Sequence, residues 1–308
     1  MMKLFKGGLI AGISMIIFLF SYPREIKGAE NKEVIKIGLT QIVEHPALDD
    51  TRKGIIDALE KNSYDERKIK IIYKNSQGDF ATAQLIGQEF NSTCDIGVGI
   101  STPSAQALVN TMKDKPVFFS VVTYPETSGV LQKNVTGVSD RTPIDKQIAL
   151  IKELLPNAKK IGTIFNTGEK NSSDTTEELI KLGKEQGYEV IASGITNISD
   201  IASALDMLMD KVDVLYTSTD NMVASSYPLI VEKCKKKNIP IIGATKSFVD
   251  QGALASEAIS EYEVGYQTGE MIVRYLKGEK IENIPYEVVN KSERIINKEV
   301  AEKFKIKN

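Results

Sequence analysis

Short polar side chains cluster where a predicted β-strand ends near residue 100. After the predicted strand 95–100, Ser101, Thr102 and Ser104 surround Pro103. A hydroxyl residue followed by proline is typical of a helix start, and we expect Thr102 to cap that helix. The first turn of a helix presents unpaired backbone N–H groups and the positive end of the helix dipole, which stabilise an anion. The segment therefore predicts a site for the carboxylate of a small ligand.

Two aspartates could bind the opposite charge. Asp220 lies between Thr219 and Asn221 at the end of a matching strand, and Asp140 follows Ser139 at the end of another. Either carboxylate could bind a ligand ammonium when the protein closes around it. The alternative for both is an ordinary helix N-cap, which Asp and Asn readily form. Both interpretations stay open.

Glu44 and His45 follow the first predicted strand and could form a catalytic pair. Acid–base catalysis would need a nucleophile or a metal beside them, and neither has motif context. The sequence contains no G-x-G-x-x-G, P-loop or G-x-S-x-G motif. We therefore expect a binding protein rather than an enzyme, without catalytic residue, cofactor or metal. A lone histidine in a polar loop, such as His45, is usually a simple hydrogen-bonding group.

Further candidates for ligand contacts lie in the polar loops that follow other strands: Thr123, Tyr124, Asn171 and Phe248. Hydroxyl and carboxamide groups bind small polar ligands through hydrogen bonds. The two halves of the chain match in sequence, and this match pairs Tyr124 with Phe248. Their rings could sandwich an aromatic or apolar part of the ligand. The alternative is that each ring packs against its own loop.

The elements that must position these residues occur twice. Three pairs of segments match: 35–40 with 160–165, 94–107 with 212–225, and 114–124 with 237–248. Each half carries a series of β-branched runs that end in polar loops, and helical patterns follow. Strands that alternate with crossover helices form parallel sheets, and ligands bind at the carboxyl ends of such strands. The repeat predicts two equivalent lobes whose loops face one another across a cleft.

The expected fold is α/β, with two similar three-layer α/β/α lobes, parallel sheets and a hinge of several crossings. We assign residues 33–141 and 259–285 to the N-terminal lobe, and residues 142–258 and 286–308 to the C-terminal lobe. A second cap signature, Thr142-Pro143, begins the first helix of the C-terminal lobe. The patterns also predict a strand at 117–122 and one helix through 223–236.

Composition narrows the class of protein. The 308 residues carry 39 Lys and Arg against 41 Asp and Glu, with both signs interspersed, so nucleic acid is not an expected partner. One histidine and two cysteines, Cys94 and Cys234, argue against a zinc site or a disulfide framework. We expect two buried thiols. A bridge between them, the alternative, would join the lobes and oppose hinge motion.

The first residues are typical of an export signal. Lys3 and Lys6 precede an apolar run at 9–20 that is short for a membrane span but suits a signal-peptide core. We expect residues 1–29 to be a signal peptide, cleaved at or next to Ala29, and the mature protein to be exported to a periplasm. The alternative is an uncleaved N-terminal anchor. No cysteine follows the apolar run, so lipid attachment there is not expected.

Seven segments carry a resemblance to a known family: 41–59, 74–83, 100–107, 134–140, 151–162, 217–225 and 265–271. In these segments the chain resembles the ABC transporter substrate-binding proteins of the tryptophan/tyrosine-uptake type. The resemblance implies a type I periplasmic-binding fold that holds an amino acid-like ligand, aromatic as in tryptophan or tyrosine. It also implies delivery of that ligand to an ABC permease with a cytoplasmic ATPase. We expect the protein to be a monomer.

The resemblance also implies ligand contacts at particular residues: Ser101, Thr102, Ser139, Asp140 and Asp220, with Glu44 and His45 at the cleft. Two loops depart from the family pattern. Loop 166–169 lacks a proline that many relatives have, and loop 245–248 differs from the acidic versions of other members. Both loops could set ligand identity. An alternative function is a ligand-sensing module that presents its closed form to a chemoreceptor or receptor kinase.

Overall fold

A computed structural model describes residues 34–289 and 291–306. The predicted signal peptide, and the anchor that is its alternative, lie outside these residues. None of the described helices is both long enough and apolar enough to cross a membrane.

Strands and helices alternate along nearly the whole described chain. The strands are β1 Ile35–Gln41, β2 Ile69–Asn75, β3 Ile96–Ile100, β4 Val117–Ser120, β5 Val135–Ser139, β6 Lys160–Asn166, β7 Glu189–Ile195, β8 Val214–Thr217, β9 Ile241–Gly243, β10 Ala255–Ala258, β11 Glu287–Val288 and β12 Glu293–Ile296. The α-helices are α1 Pro46–Lys61, α2 Phe80–Thr93, α3 Thr102–Thr111, α4 Pro125–Ser128, α5 Ile144–Leu154, α6 Lys170–Glu185, α7 Asp200–Met209, α8 Asn221–Ser225, α9 Tyr227–Lys237, α10 Lys246–Asp250, α11 Glu261–Leu276 and α12 Lys298–Lys303. A 3₁₀ turn spans Ile281–Asn283.

The strands form two six-stranded sheets. The first has the order β11-β5-β4-β3-β1-β2 and the second β12-β10-β9-β8-β6-β7. Neighbouring strands run parallel, except that β10 and β12 pair antiparallel. We call the first sheet with α1 to α4 and α11 the first lobe, and the second sheet with α5 to α10 and α12 the second lobe. The predicted fold class is confirmed, with one antiparallel edge strand that the sequence did not indicate.

Glycine lets α3 begin directly after β3. Every residue of β3 is buried, and its sequence IGVGI leaves two positions without a side chain. A Cβ on Gly99 would lie 2.7 Å from the backbone N and Cα of Ala105, so no larger residue fits beneath the first turn of α3. The close approach of helix and strand fixes where Ser101 and Thr102 lie.

Two glycines also bring α1 and α11 together on one face of the first sheet. A Cβ on Gly54 would lie 2.2 Å from the carbonyl oxygen of Tyr262, and one on Gly265 would lie 2.0 Å from that of Thr51. The helices therefore pack backbone against backbone. The apolar residues Ile55 and Ile272 fill the space between these helices and the sheet.

The two cysteines are free and buried, as expected. Cys94 packs in the core of the first lobe and Cys234 in the core of the second. Each behaves as a small apolar side chain in its own lobe. The bridged alternative is therefore wrong for this structure.

The last return crossing of the chain differs from its predicted position after residue 285. Glu287 and Val288 still belong to the first sheet, where they pair with Val138 and Ser139 of β5. The chain joins the second sheet only at Glu293, which pairs with Ala258. A two-residue edge strand carries too little pattern to be read from the sequence.

Several local expectations are also wrong. The region 223–236 holds two helices, because Pro228 lacks an N–H group and fits only the first turn of α9. Strand β4 ends at Ser120, because Val121 takes the left-handed φ of 52°. Helix α5 begins at Ile144, and no side chain caps it within the described chain, so Thr142 is not a cap.

Candidate functional site

A cavity lies between the two lobes, where the carboxyl ends of β1, β3, β4 and β5 face those of β6, β8 and β9. Most of the predicted ligand-binding residues line it: His45, Ser101, Thr102, Thr123, Asp140, Asn171, Thr219, Asp220, Asn221 and Phe248. The loops at strand ends thus converge on one space, as expected for facing parallel sheets.

The remaining predicted residues do not line this cavity. Glu44 is exposed, and its carboxylate accepts a 3.3 Å hydrogen bond from the hydroxyl of Tyr73. Ser104 is buried in the first turn of α3. The Ser139 hydroxyl donates to the backbone oxygen of Thr123 at 3.2 Å, so it holds the loop that carries Thr123.

The expected aromatic sandwich does not form. Phe248 stacks on Tyr227, with ring centroids 4.1 Å apart and an interplanar angle of 5°. The hydroxyl of Tyr124 donates to Glu178 at 2.5 Å across the cleft, and the Arg141 guanidinium lies 5.1 Å from the centre of the Tyr124 ring. Phe248 therefore offers the cavity an apolar wall, and Tyr124 holds the two lobes together.

The cavity also contains residues that sequence reasoning missed: Ala47, Leu48, Val121, Ala224, Thr245 and Glu261. The apolar ones follow strand ends but resemble ordinary core residues, so no sequence pattern indicates that they line a cavity. Glu261 begins the returning helix α11. A helix that starts at a lobe crossing must lie near the hinge, which is the signal that could have identified this carboxylate.

The start of α3 leaves two hydroxyl groups unpaired at the cavity. Ser101, and not Thr102, is the N-cap, and its side chain makes no capping bond to described residues. The Oγ of Ser101 and the Oγ1 of Thr102 are buried and have no hydrogen-bond partner in the described chain. Ser101 has a φ of 81°, and Val121, which directly follows the neighbouring strand β4, has a φ of 52°. Such strained backbone in non-glycine residues concentrates at ligand sites.

Asp140 supplies a buried carboxylate at the opposite side of the cavity from β1. The residue is 8% exposed, and its Oδ1 has no partner within residues 34–289 and 291–306. Burial raises the pKa of Asp140 to about 6. Burial also raises the pKa of Glu261 to about 8, and the charges of Asp140 and Asp50 add to this rise. Since none of the described residues lining the cavity is Lys or Arg, these acids favour a cationic group.

Asp220 lines the cavity but its carboxylate is already occupied. It accepts hydrogen bonds from the backbone N–H of Asn166 at 2.5 Å, the hydroxyl of Ser172 at 2.7 Å and the backbone N–H of Val223 at 2.9 Å. The last bond makes Asp220 the N-cap of α8. Of the two interpretations of this residue, the structure supports the cap.

Direct contacts across the cleft show that the lobes are closed. His45 Nε2 lies 3.3 Å from Asn221 Oδ1, and the hydroxyls of Thr123 and Thr219 lie 3.4 Å apart. At the rim, Thr127 donates to Asp174 at 2.5 Å. Because one partner of each pair belongs to each lobe, opening the cleft would break every one of these contacts.

Two α/β lobes that close on a polar cavity through a multi-crossing hinge define a bilobed solute-binding protein of the type I periplasmic-binding class. The family model described as ABC transporter substrate binding protein matches residues 36–308. The chain belongs to this family.

Two individual proteins are similar to most of this chain. The chain is 40% identical over 283 residues to a tyrosine-binding protein of Clostridioides difficile, covering 89% of this chain and 82% of that one. A crystal structure of an ABC domain in complex with L-Trp from Streptococcus pneumonia is 35% identical, with a TM-score of 0.86 and coverage of 89% and 95%.

A ligand-free, open structure of a substrate-binding protein with adhesive properties from Clostridium difficile gives a useful contrast. It is 39% identical, with coverage of 89% of this chain and 96% of that one, yet its TM-score is only 0.68. At similar identity, the L-Trp complex therefore superposes much better than the open structure. This difference agrees with the closed cleft described above.

Proposed function

We propose that this substrate-binding protein holds an aromatic α-amino acid of the tyrosine or tryptophan type in its interlobe cavity and delivers it to the permease of an ABC importer. The family membership supports the importer role, and it favours uptake over a sensing module. The names of the tyrosine-binding relative and of the L-Trp complex support the ligand class.

The observation that carries the proposal is the set of unpaired polar atoms around the cavity. In the part of the chain that the structure describes, these buried atoms have no partner: Ser101 Oγ, Thr102 Oγ1, His45 Nδ1, Asp140 Oδ1 and Asn171 Oδ1. Each unpaired buried polar group costs about 1–3 kcal/mol. Buried polar groups in native proteins are normally hydrogen-bonded, and a polar ligand in the cavity would supply partners for these five.

The chemistry of these atoms sets the polarity of the ligand. The two hydroxyls at the start of α3, with the free N–H groups of its first turn, suit the α-carboxylate. Asp140 suits the α-ammonium, because its carboxylate oxygen lacks a donor. The apolar side chains of Leu48, Val121 and Phe248, which also line the cavity, suit an aromatic ligand side chain. We expect an affinity in the sub-micromolar to micromolar range, roughly −8 to −11 kcal/mol.

Calorimetry on the purified protein, screened against the common amino acids and their des-amino analogues, tests this proposal. Tyrosine or tryptophan should bind with that affinity and raise the melting temperature by mass action. Lack of binding by every α-amino acid would reject the ligand class.

Export and delivery form the second part of the proposal. The basic and apolar pattern of residues 1–29 supports export. Deleting the gene should lower the uptake of the bound amino acid. Unchanged uptake together with a lost response to that amino acid would instead support the sensing role.

A further inference from the structure

A chain of directed hydrogen bonds runs through the second lobe to the cavity, and it begins at a backbone amide. The N–H of Gly168 donates to Asn166 Oδ1 at 2.9 Å. A backbone N–H can only donate, so this bond fixes which end of the Asn166 amide is oxygen. Its Nδ2 therefore faces Glu169, and it donates to Oε1 at 3.1 Å.

Glu169 passes this direction on to Asn221. Its Oε2 accepts from the backbone N–H of Asn221 at 3.3 Å and from Asn221 Nδ2 at 2.5 Å. An ionised carboxylate has no proton to donate, so the Asn221 amide must turn its NH₂ group to Glu169. The Oδ1 of Asn221 is thereby turned across the cleft to His45, 3.3 Å from Nε2.

The direction of the chain fixes the tautomer of His45. Since Asn221 Oδ1 can only accept, Nε2 of His45 must carry the proton. Burial lowers the pKa of His45, so the ring is neutral, and its Nδ1 is left as a bare acceptor. The residue is 9% exposed, it lines the cavity, and Nδ1 has no partner among the described residues. The ligand group beside Nδ1 must therefore be a donor.

We propose that His45 recognises a hydrogen-bond donor on the ligand side chain, the phenol O–H or indole N–H, and that Glu169 and Asn221 are positioning residues that hold His45 as the acceptor. This inference rests on the proposed function. The sheet order supports it, because β3 lies between β1 on one side and β4 and β5 on the other. With the carboxylate at the end of β3 and the ammonium at Asp140 after β5, the side chain extends towards β1 and His45.

The same geometry explains how closure contributes to selectivity. His45 belongs to the first lobe, whereas Glu169 and Asn221 belong to the second. The bond that fixes the tautomer therefore exists only in the closed state. A ligand that lacks a side-chain donor leaves Nδ1 unpaired at the moment of closure, and a site with an unpaired buried polar group rejects such analogues strongly.

Matched ligand pairs test the inference. Calorimetry compares tyrosine with phenylalanine, and tryptophan with 3-benzothienylalanine, which has the shape of tryptophan but no N–H. Burial and the charge of Asp220 raise the pKa of Glu169 to about 7, so a pH of about 8.5 keeps it ionised. The member of each pair with the donor should bind at least about ten-fold more tightly. Equal binding within both pairs would overturn the inference and leave the proposed function intact.

Glu169→Gln tests the positioning role. Asn166 still donates to the side-chain oxygen at 169, so the new NH₂ group faces Asn221. It turns the side-chain amide of Asn221 round, at the cost of the 3.3 Å bond that Glu169 accepts from the backbone N–H of Asn221. The His45 Nε2 must then accept, and Nδ1 becomes a donor. The preference for tryptophan over 3-benzothienylalanine should vanish. Glu178→Gln is the matched control. Glu178 lies on α6, the helix that Glu169 precedes, and this change weakens the contact to Tyr124 but leaves the hydrogen-bond chain intact.

A readout independent of affinity is available because His45 is the only histidine in the sequence. In untagged protein labelled with ¹⁵N-histidine, the nitrogen chemical shifts of the ligand-bound form should report Nε2–H in the wild type and Nδ1–H in Glu169→Gln. A wild-type Nδ1–H tautomer would overturn the inference even if the variant does not fold. If a His45→Phe variant loses affinity for all α-amino acids to the same extent, Nδ1 binds the ligand ammonium, and this result would also overturn the inference. If no amino acid binds the wild type at all, both proposals fall.

Discussion

Asp140→Asn should make the ligand-free protein more stable and the ligand complex weaker. The wild-type carboxylate is 8% exposed and has an unpaired Oδ1 within the described chain. Its pKa rises from 3.8 to about 6, chiefly by burial. A shift of about two pH units corresponds to about 3 kcal/mol, which is the cost of keeping this charge in the closed cavity. Opening of the empty cleft hydrates the carboxylate and relieves part of this cost. We therefore expect Asp140→Asn to raise the free energy of unfolding by about 1–3 kcal/mol.

The pH dependence of this gain has a definite sign. The folded protein binds the Asp140 proton more tightly than the unfolded chain does. The stability that this group contributes is therefore fully present below pH 3.8 and is lost as the pH rises to about 6. The difference in unfolding free energy between the variant and the wild type should therefore be small below about pH 4 and constant above about pH 6. Urea unfolding of both ligand-free proteins across this range measures it.

The same substitution should weaken a zwitterionic ligand by roughly 10- to 100-fold, because a charge-assisted hydrogen bond to the ammonium is worth about 1.5–3 kcal/mol. Calorimetry with the des-amino analogue, which keeps the carboxylate, provides the control and should show little change. Asp220→Asn is the matched variant. Its carboxylate accepts three intralobe bonds, so this change should lower stability instead. The reasoning is refuted if Asp140→Asn fails to stabilise the ligand-free protein at pH 8, or if both ligands weaken equally.

Other substitutions test closure, packing and strain. Tyr124→Phe removes the bond to Glu178, so it should weaken ligand binding by about 3- to 10-fold in calorimetry and lower the melting temperature of the complex more than that of the ligand-free protein. Gly265→Ala would place a Cβ 2.0 Å from the carbonyl oxygen of Thr51, and denaturant unfolding should show a loss of about 3 kcal/mol or more. Ser101→Gly relieves a φ of 81°, so it should stabilise the ligand-free protein by about 1 kcal/mol, whereas the loss of its hydroxyl should lower affinity.

The sequence predicted the lobes and the location of the site because both follow from a simple pattern. Buried parallel strands produce continuous apolar runs, as in β3, and their carboxyl ends share one edge of the sheet. Any polar loop after such a strand must therefore lie near the cleft. This argument located His45, Asp140 and Asn221 without knowledge of a single contact.

The roles of individual residues depend on contacts that no local pattern reveals. Asp220 looks the same in sequence whether its carboxylate is free or occupied, and its partners Asn166 and Ser172 are 54 and 48 residues away. The cap at α3 failed as a prediction because Ser101 adopts a left-handed φ, which leaves its hydroxyl and that of Thr102 unpaired. Both are features of tertiary strain, which short-range propensities do not describe.

The contacts between the two lobes do not by themselves stabilise the closed state. The hydrogen bonds across the cleft, such as those of Thr123 and Tyr124, contribute about 0.5–1.5 kcal/mol each. Against them stand the unpaired atoms of His45, Ser101, Thr102 and Asn171, at about 1–3 kcal/mol each, and the buried charge of Asp140. These groups therefore destabilise the closed, ligand-free protein. A zwitterion that pairs these atoms reverses the balance, so the energy that selects the ligand is the same energy that closes the lobes.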